Sequence, residues 1–418
     1  MTTTLALENL VSHPLDFAGE RLTVYNFAAD QLINQSLSQE GVWEPWQLTL
    51  MRRIIREDFN CVDVGANIGI NAMFMARCCP KGRVVAFEPF NAIYEVLRKN
   101  IAANGLRNLA AINKGISDSA RTLHMVTNVN MVGGAHITDG SVDAAGHVSG
   151  QFRFGTLDEE LHAQGIDRVD FIKIDVEGHE LQVFTGADRC LRSNPNLQLI
   201  VEFNPAQLRR AISITRPFPD RQLLSLLKSY FRYVFYMNRD NTLTELKDYH
   251  ALRRQLLGGY FVDDLYCTNT IPPQIADLID DKPIVSSNVQ VVRHNVAGLS
   301  VTSYNRDSDG WGLGSAHHPA TVCLNVVGEP WRQLTIKLER IYQKHLHAGF
   351  PSWPVWVLIG DVGLTFDLLD TPARFSVETR SEPLDITIQS EHQTPASVYL
   401  GNPNDTRHVG MQVSFESE

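Results

Sequence analysis

The chain has 418 residues, room for about two or three domains, and 44% of them are hydrophobic against 20% charged. That balance excludes a disordered chain and a collagen-like one. With 37 Lys and Arg against 47 Asp and Glu, the formal charge of -10 argues against a nucleic-acid partner, although a local basic patch is still allowed.

Residues 1–50 are expected to form a helical N-terminal extension. Met1 to Glu8 lack a basic start, and their apolar stretch is cut short by Glu8 and Asn9, so no signal peptide is expected. No apolar run approaches the roughly 18 to 20 residues of a spanning helix, so no membrane span is expected. The six cysteines, Cys61, Cys78, Cys79, Cys190, Cys267 and Cys323, show no CxxC spacing. They read as reduced thiols of a soluble, cytoplasmic protein.

Residues 51–270 alternate short apolar strands with helical stretches. Strands are predicted at 60–64, 83–87, 109–113, 170–174 and 197–203. Helices are predicted at 70–79, stopped by Pro80, and at 91–104, with apolar residues at 93, 97 and 101 and a stop at Gly105. This alternation predicts an α/β fold, a mostly parallel, doubly wound sheet covered on both faces. Thr127 to Gly150 is glycine-rich and holds His136, Asp139 and Asp143; it is expected to be a loop that acts as a lid. Residues 271–288, with Pro272, Pro273 and Pro283, are expected to be a linker. Residues 289–418 carry short runs rich in Val, Ile and Thr between Gly, Pro, Asn and Asp, which predicts an all-β sandwich domain.

The first strand of the α/β region runs into Asp63-Val64-Gly65-Ala66-Asn67-Ile68-Gly69. Its glycines allow a tight turn, and a helix start can hold an anionic group. Asn67 stands where a dinucleotide fingerprint wants its second glycine, and Asp63 repels phosphate, so an NAD-linked oxidoreductase is the weaker reading. S-adenosyl-L-methionine fits better: it has a carboxylate, two cationic groups and no phosphate. Glu88, beside Pro89, lies just past the second strand, where an acid accepts the ribose diol in such folds. A solvated loop glutamate is the plain alternative.

These two segments, with Thr156-Leu157-Asp158 and Lys173-Ile174-Asp175-Val176-Glu177-Gly178-His179-Glu180, resemble in order and spacing the signatures of the FkbM family of S-adenosylmethionine-dependent methyltransferases. The resemblance covers about residues 60 to 203. It implies a Rossmann-like fold and O-methylation, often of sugar hydroxyls in surface glycans or glycosylated metabolites. It also makes Ser117-Asp118 the usual Ser-Asp pair near the adenine, for which a plain β-turn is the alternative. His179 departs from the family's usual small or aromatic residue. Asp309-Gly310-Trp311 and Asn404 to Gly410 resemble, more loosely, a β-sandwich module of bacterial enzymes of glycan (polysaccharide) biosynthesis. Such a module is expected to bind a glycan, hold a homo-oligomer or dock another enzyme. Four tryptophans fall there: Trp311, Trp331, Trp353 and Trp356. Core packing is favoured over sugar stacking for them.

Ligands in an open α/β sheet sit beyond the carboxyl ends of the strands. The expected cofactor contacts are therefore Asp63, Gly65, Ala66, Asn67, Gly69, Glu88, Pro89, Ser117, Asp118 and Asp175. A sugar hydroxyl is a poor nucleophile near neutrality, so a base is needed. Asp175 is the first candidate and His179 the second. Glu202 stands in an apolar strand, where an unpaired carboxylate is costly. Two roles are open for Glu177 and Glu202: orienting the acceptor, or holding a divalent cation with Asp175. No metal site is assigned. Helix capping is the plain alternative for Asp175 and Glu177. A glycan-binding protein with a vestigial cofactor pocket is the main rival to an enzyme.

Overall fold

The computed structural model describes residues 5–138, 147–204, 207–208, 219–246 and 263–280, and strand segments between 290 and 417. The described residues divide into two compact units, one up to residue 280 and one from residue 290 on, and each is described by itself.

The first unit opens with a hairpin, not a helix. Strands β1 (Leu10–Phe17) and β2 (Glu20–Phe27) pair antiparallel through Ala18 and Gly19. Both turn residues have positive φ, 51° and 83°, the geometry that matches the twist of a two-residue hairpin. Leu15, Leu22 and Val24 are buried, so a period of two places one face of the hairpin on the core. This corrects the expected helical extension, which holds only for α1 (Gln31–Gln39) and α2 (Pro45–Ile54). Both helices pack into the same core as the α/β region.

The α/β region then runs β3 (Asn60–Val64), α3 (Ile70–Cys78), β4 (Arg83–Phe87), α4 (Asn91–Ala103) and β5 (Leu109–Ile112). After a side sheet come α5 (Leu157–Ala163), β10 (Phe171–Ile174), α6 (Glu180–Thr185), α7 (Asp188–Ser193) and β11 (Gln198–Phe203). The closing elements are α8 (Pro219–Tyr230), β12 (Tyr233–Met237), β13 (Leu243–Glu245) and β14 (Asp263–Thr268). The described strands form one eight-stranded sheet in the order β13-β12-β14-β11-β10-β3-β4-β5. The five strands from β11 to β5 are parallel, and β14 runs antiparallel between β11 and β12. The order reverses between β3 and β10, and such a reversal opens a crevice at the strand ends. Every residue of β10 and β11 is buried, as expected of strands covered on both faces.

Two further expectations fail. Thr127 to Gly150 is mostly sheet: β7 (Arg121–Asn128), β8 (Met131–Thr138) and β9 (His147–Gly155) join β6 (Gly115–Ile116) in the order β6-β9-β7-β8. The ladders replace the expected loop, and Asp139 and Asp143 lie outside the described residues. In the expected linker, Pro273–Leu278 is a 3-10 helix with Ile275 and Leu278 buried. Arg53 ties it to α2 by donating to Asp277 at 2.7 Å.

The second unit is all-β where described. Antiparallel ladders join β15 (Gln290–Val296), β16 (Leu299–Asn305), β17 (Ala320–Val327), β22 (Leu384–Ser390), β19 (Pro354–Ile359) and β20 (Val362–Asp367). A second sheet holds β21 (Ala373–Glu378), β18 (Gln333–Arg340) and β23 (Met411–Ser417). Trp311, Trp331 and Trp353 lie outside the described residues, as does the side chain of Trp356.

Candidate active site

The turn after β3 is built by its own backbone. The N–H groups of Gly65 and Ala66 both donate to the Phe87 carbonyl at the end of β4. Gly65, Asn67 and Gly69 all have positive φ. A Cβ on Gly65 would lie 1.8 Å from the Asp175 carbonyl oxygen, and one on Gly69 would lie 2.3 Å from Leu97. Close packing inside the protein therefore requires both glycines, whatever ligand the turn holds.

Glu88 closes this turn. Its carboxylate accepts the Asn67 N–H at 3.0 Å and the Phe90 N–H at 2.7 Å, while Asn113 holds the Glu88 and Pro89 carbonyls. Burial raises the carboxyl to a pKa of about 7 against the pull of those two N–H groups. So Glu88 is buried, not solvated, and it shapes the turn. Asp63 lies one strand over, and both its oxygens are buried without a hydrogen-bond partner. Burial lifts its pKa to about 6, with Lys173 opposing. Lys173 is its register neighbour on β10.

Ser117 and Asp118 follow β6. The buried Ser117 hydroxyl meets His179 Nε2 at 2.9 Å, and Arg121 donates to Asp118 at 2.6 Å and to Ser117 at 3.0 Å. Burial, then the Arg121 charge, lowers His179 to about 4. An imidazole that keeps its proton only below that value is a weak base near neutrality, which weighs against His179 as the proton acceptor.

The segment from Asp175 to Glu180 is a pinned turn. Glu177 and Gly178 both take positive φ, and Glu180 accepts the N–H groups of Val176 and Gly178. Asp158 works similarly, capping α7 through the N–H groups of Arg189 and Cys190. Glu180 and Asp158 thus have structural duties.

Asp175, Glu177 and Glu202 come together: one carboxylate oxygen of each lies within 4.8 Å of the others. Lys173 donates to Asp175 Oδ2 at 2.9 Å, and Gln207 donates to Glu177 Oε2. Glu202 is 4% exposed, and its Oε2 has no partner. Burial, then Asp175 and Glu177, push its pKa well above the usual range. Asp264 faces it in the β11–β14 register and is held by Trp46 at 2.8 Å and Gln47 at 2.9 Å. Burial opposes a charge on Lys173, yet Asp175, Asp63 and Glu44 together hold its pKa above the ordinary value. Lys173, Gln207 and Asp264 were not singled out as site residues on the sequence. A lysine inside an apolar strand was the available signal; the other two depend on contacts distant in sequence.

The strand order, the turn after β3 and the acids at the strand ends are those expected of one kind of domain. Residues 63–230 match the family model described as the Methyltransferase FkbM domain. Residues 63–230 are thus similar to that domain. Methyltransferase sdnD of Sordaria araneosa is 34% identical over 154 residues, 30% of this chain and 60% of that protein. Hexuronic acid methyltransferase AglP of Haloferax volcanii is 29% identical over 165 residues, 37% of this chain and 64% of that protein. The chain thus spans less than two thirds of either. Among solved structures, an O-methyltransferase from Bacillus cereus in complex with SAH aligns at a TM-score of 0.33 and 14% identity, covering 57% of this chain and 87% of that one. Among the described residues no helix is long and apolar enough to cross a membrane.

Proposed function

We propose that the FkbM domain binds S-adenosylmethionine between the β3 turn and β10, and that the chain is an O-methyltransferase of a saccharide hydroxyl. The observation that carries this reading is the buried Asp63 carboxylate, unpartnered on both oxygens, at the strand end of a domain whose family transfers methyl groups. A buried anion without a partner is costly, and a cationic ligand offsets that cost. The donor supplies an electrophilic methyl on a sulfonium. Asp63 favours its positive charge, Glu88 keeps lone pairs for the ribose diol beyond the two N–H groups it accepts, and Ser117 and Asp118 border the adenine. Asp175 orients the acceptor hydroxyl and takes its proton as the O–C bond forms; positioning supplies most of the rest.

The similarity to a hexuronic acid methyltransferase supports a sugar acceptor. The free, buried cysteines among the described residues support a cytoplasmic location. The two larger β-sheets of the second unit are read as a sandwich that engages a glycan, a second copy or an assembly enzyme. Incubation with methyl-labelled S-adenosylmethionine and a panel of uronic and neutral saccharides tests the reaction. Label is expected in a saccharide O-methyl group, with Asp175→Asn slower by about 100-fold or more. Donor binding with no transfer to any hydroxyl, or label on nitrogen or carbon, contradicts the proposal.

A further inference from the structure

Asp175 directly follows β10, Glu177 sits in the turn behind it, and Glu202 comes from β11. We propose that these three side chains bind one hard divalent cation. The choice of ion follows from charge, reach and ligand type.

Three carboxylates gather there, and among the described residues Lys173 is ion-paired with Asp175. A dication attracts such a set of hard oxygens more strongly than one ammonium does. Oxygens on one ion are separated by at most twice the metal–oxygen distance, about 5 Å for calcium and about 4.2 Å for magnesium. Oxygens that lie within 4.8 Å of one another are close enough to share one ion. The set is all oxygen, as hard cations prefer.

A second observation is independent of this clustering. Glu202 Oε2 is buried and without a hydrogen-bond partner in the protein, beside two acids that are already oriented. Lys173 donates to Asp175 and Gln207 to Glu177, the arrangement in which outer partners aim metal ligands. Three protein ligands leave coordination positions for water or an acceptor oxygen. An ion there would lower the pKa of a bound hydroxyl, so that a weaker base suffices to take its proton. This use of the ion rests on the methyltransferase reading; its binding does not.

The test is titration of the full chain, stripped with chelator, with Mn²⁺ while free Mn²⁺ is followed by electron paramagnetic resonance. One Mn²⁺ per chain is expected, displaced by Ca²⁺, with Glu202→Gln and Glu177→Gln each weakening binding by tenfold or more. Thermal unfolding in chelator shows that each variant is folded, and Mn²⁺ is expected to raise the midpoint of the wild type but not of the variants. No Mn²⁺ bound, or equal binding by both folded variants, overturns the site. S-adenosylhomocysteine titrated into the same wild-type sample separates the two readings. If it binds and Mn²⁺ does not, only the ion is lost; if Mn²⁺ binds and it does not, the methyltransferase reading fails and the ion site stands.

Discussion

The two halves of the sheet edge handle their acids differently. On the β3–β4 side, Glu88 is satisfied by two backbone N–H groups and shapes the turn that it lines. On the β10–β11 side, Asp175, Glu177 and Glu202 crowd together, and one buried oxygen of Glu202 has no partner. Glu88 is preorganised by the fold, whereas Asp63 on β3 and the three acids of the second side are held beside Lys173 against the cost of burying or crowding them. Backbone hydrogen bonds offset part of the cost of burying a carboxylate, and clustering adds to that cost.

The strongest way to break the comparison is to force the halves apart. Gly65→Ala puts a methyl group 1.8 Å from the Asp175 carbonyl, at a φ of 83° that disfavours any side chain. A loss of about 3 kcal/mol or more in denaturant unfolding is expected. A loss below about 1 kcal/mol would mean the two edges are not tightly apposed.

A smaller effect is expected from behind the donor half. Asn100 on α4 donates to the carbonyls of Ile68, in the glycine turn, and of Tyr25, on β2, and accepts the Tyr25 N–H. Asn100→Ala is expected to cost about 2 kcal/mol and to weaken donor binding, because it leaves buried groups unpaired and frees the turn. Unchanged calorimetric affinity would separate the hairpin from the site.

The acids also predict opposite pH trends. Asp63 and Glu88 have folded pKa values raised from 3.8 and 4.5 to about 6 and about 7. Their contribution to stability is fully present below the unfolded values and is lost as pH rises through the folded ones. His179, lowered from 6.5 to about 4, contributes above 6.5 and loses it as pH falls through 4. With Glu180 also raised, to about 7, the carboxyls outnumber the imidazole, so the ligand-free midpoint is expected to fall as pH rises through 6 and 7. Binding of cationic S-adenosylmethionine is expected to strengthen over the same range as Asp63 and Glu88 ionise. Parallel trends for stability and binding would contradict the electrostatic picture.

The donor half was legible in sequence because its logic is local: β3, the turn, α3, β4 and Glu88 follow one another within 30 residues, and Pro80 and Gly105 mark the helix ends. The hairpin at residues 10–27 was missed because Ala18-Gly19 is a weaker turn signal than Asn-Gly, although Leu15, Leu22 and Val24 kept the alternation. Glu202 was suspect as an acid in an apolar strand. Its neighbour Asp264, and the Trp46 and Gln47 that hold Asp264, depend on an antiparallel β14 that only the folded sheet reveals.

Isothermal titration of the full chain with S-adenosylhomocysteine tests the central claim most directly. The account predicts one molecule bound per chain, with Glu88→Ala weakening it about tenfold or more, as loss of a charged hydrogen bond of roughly 1.5–3 kcal/mol requires. No binding by the folded wild type, or binding untouched by the substitution, would contradict it.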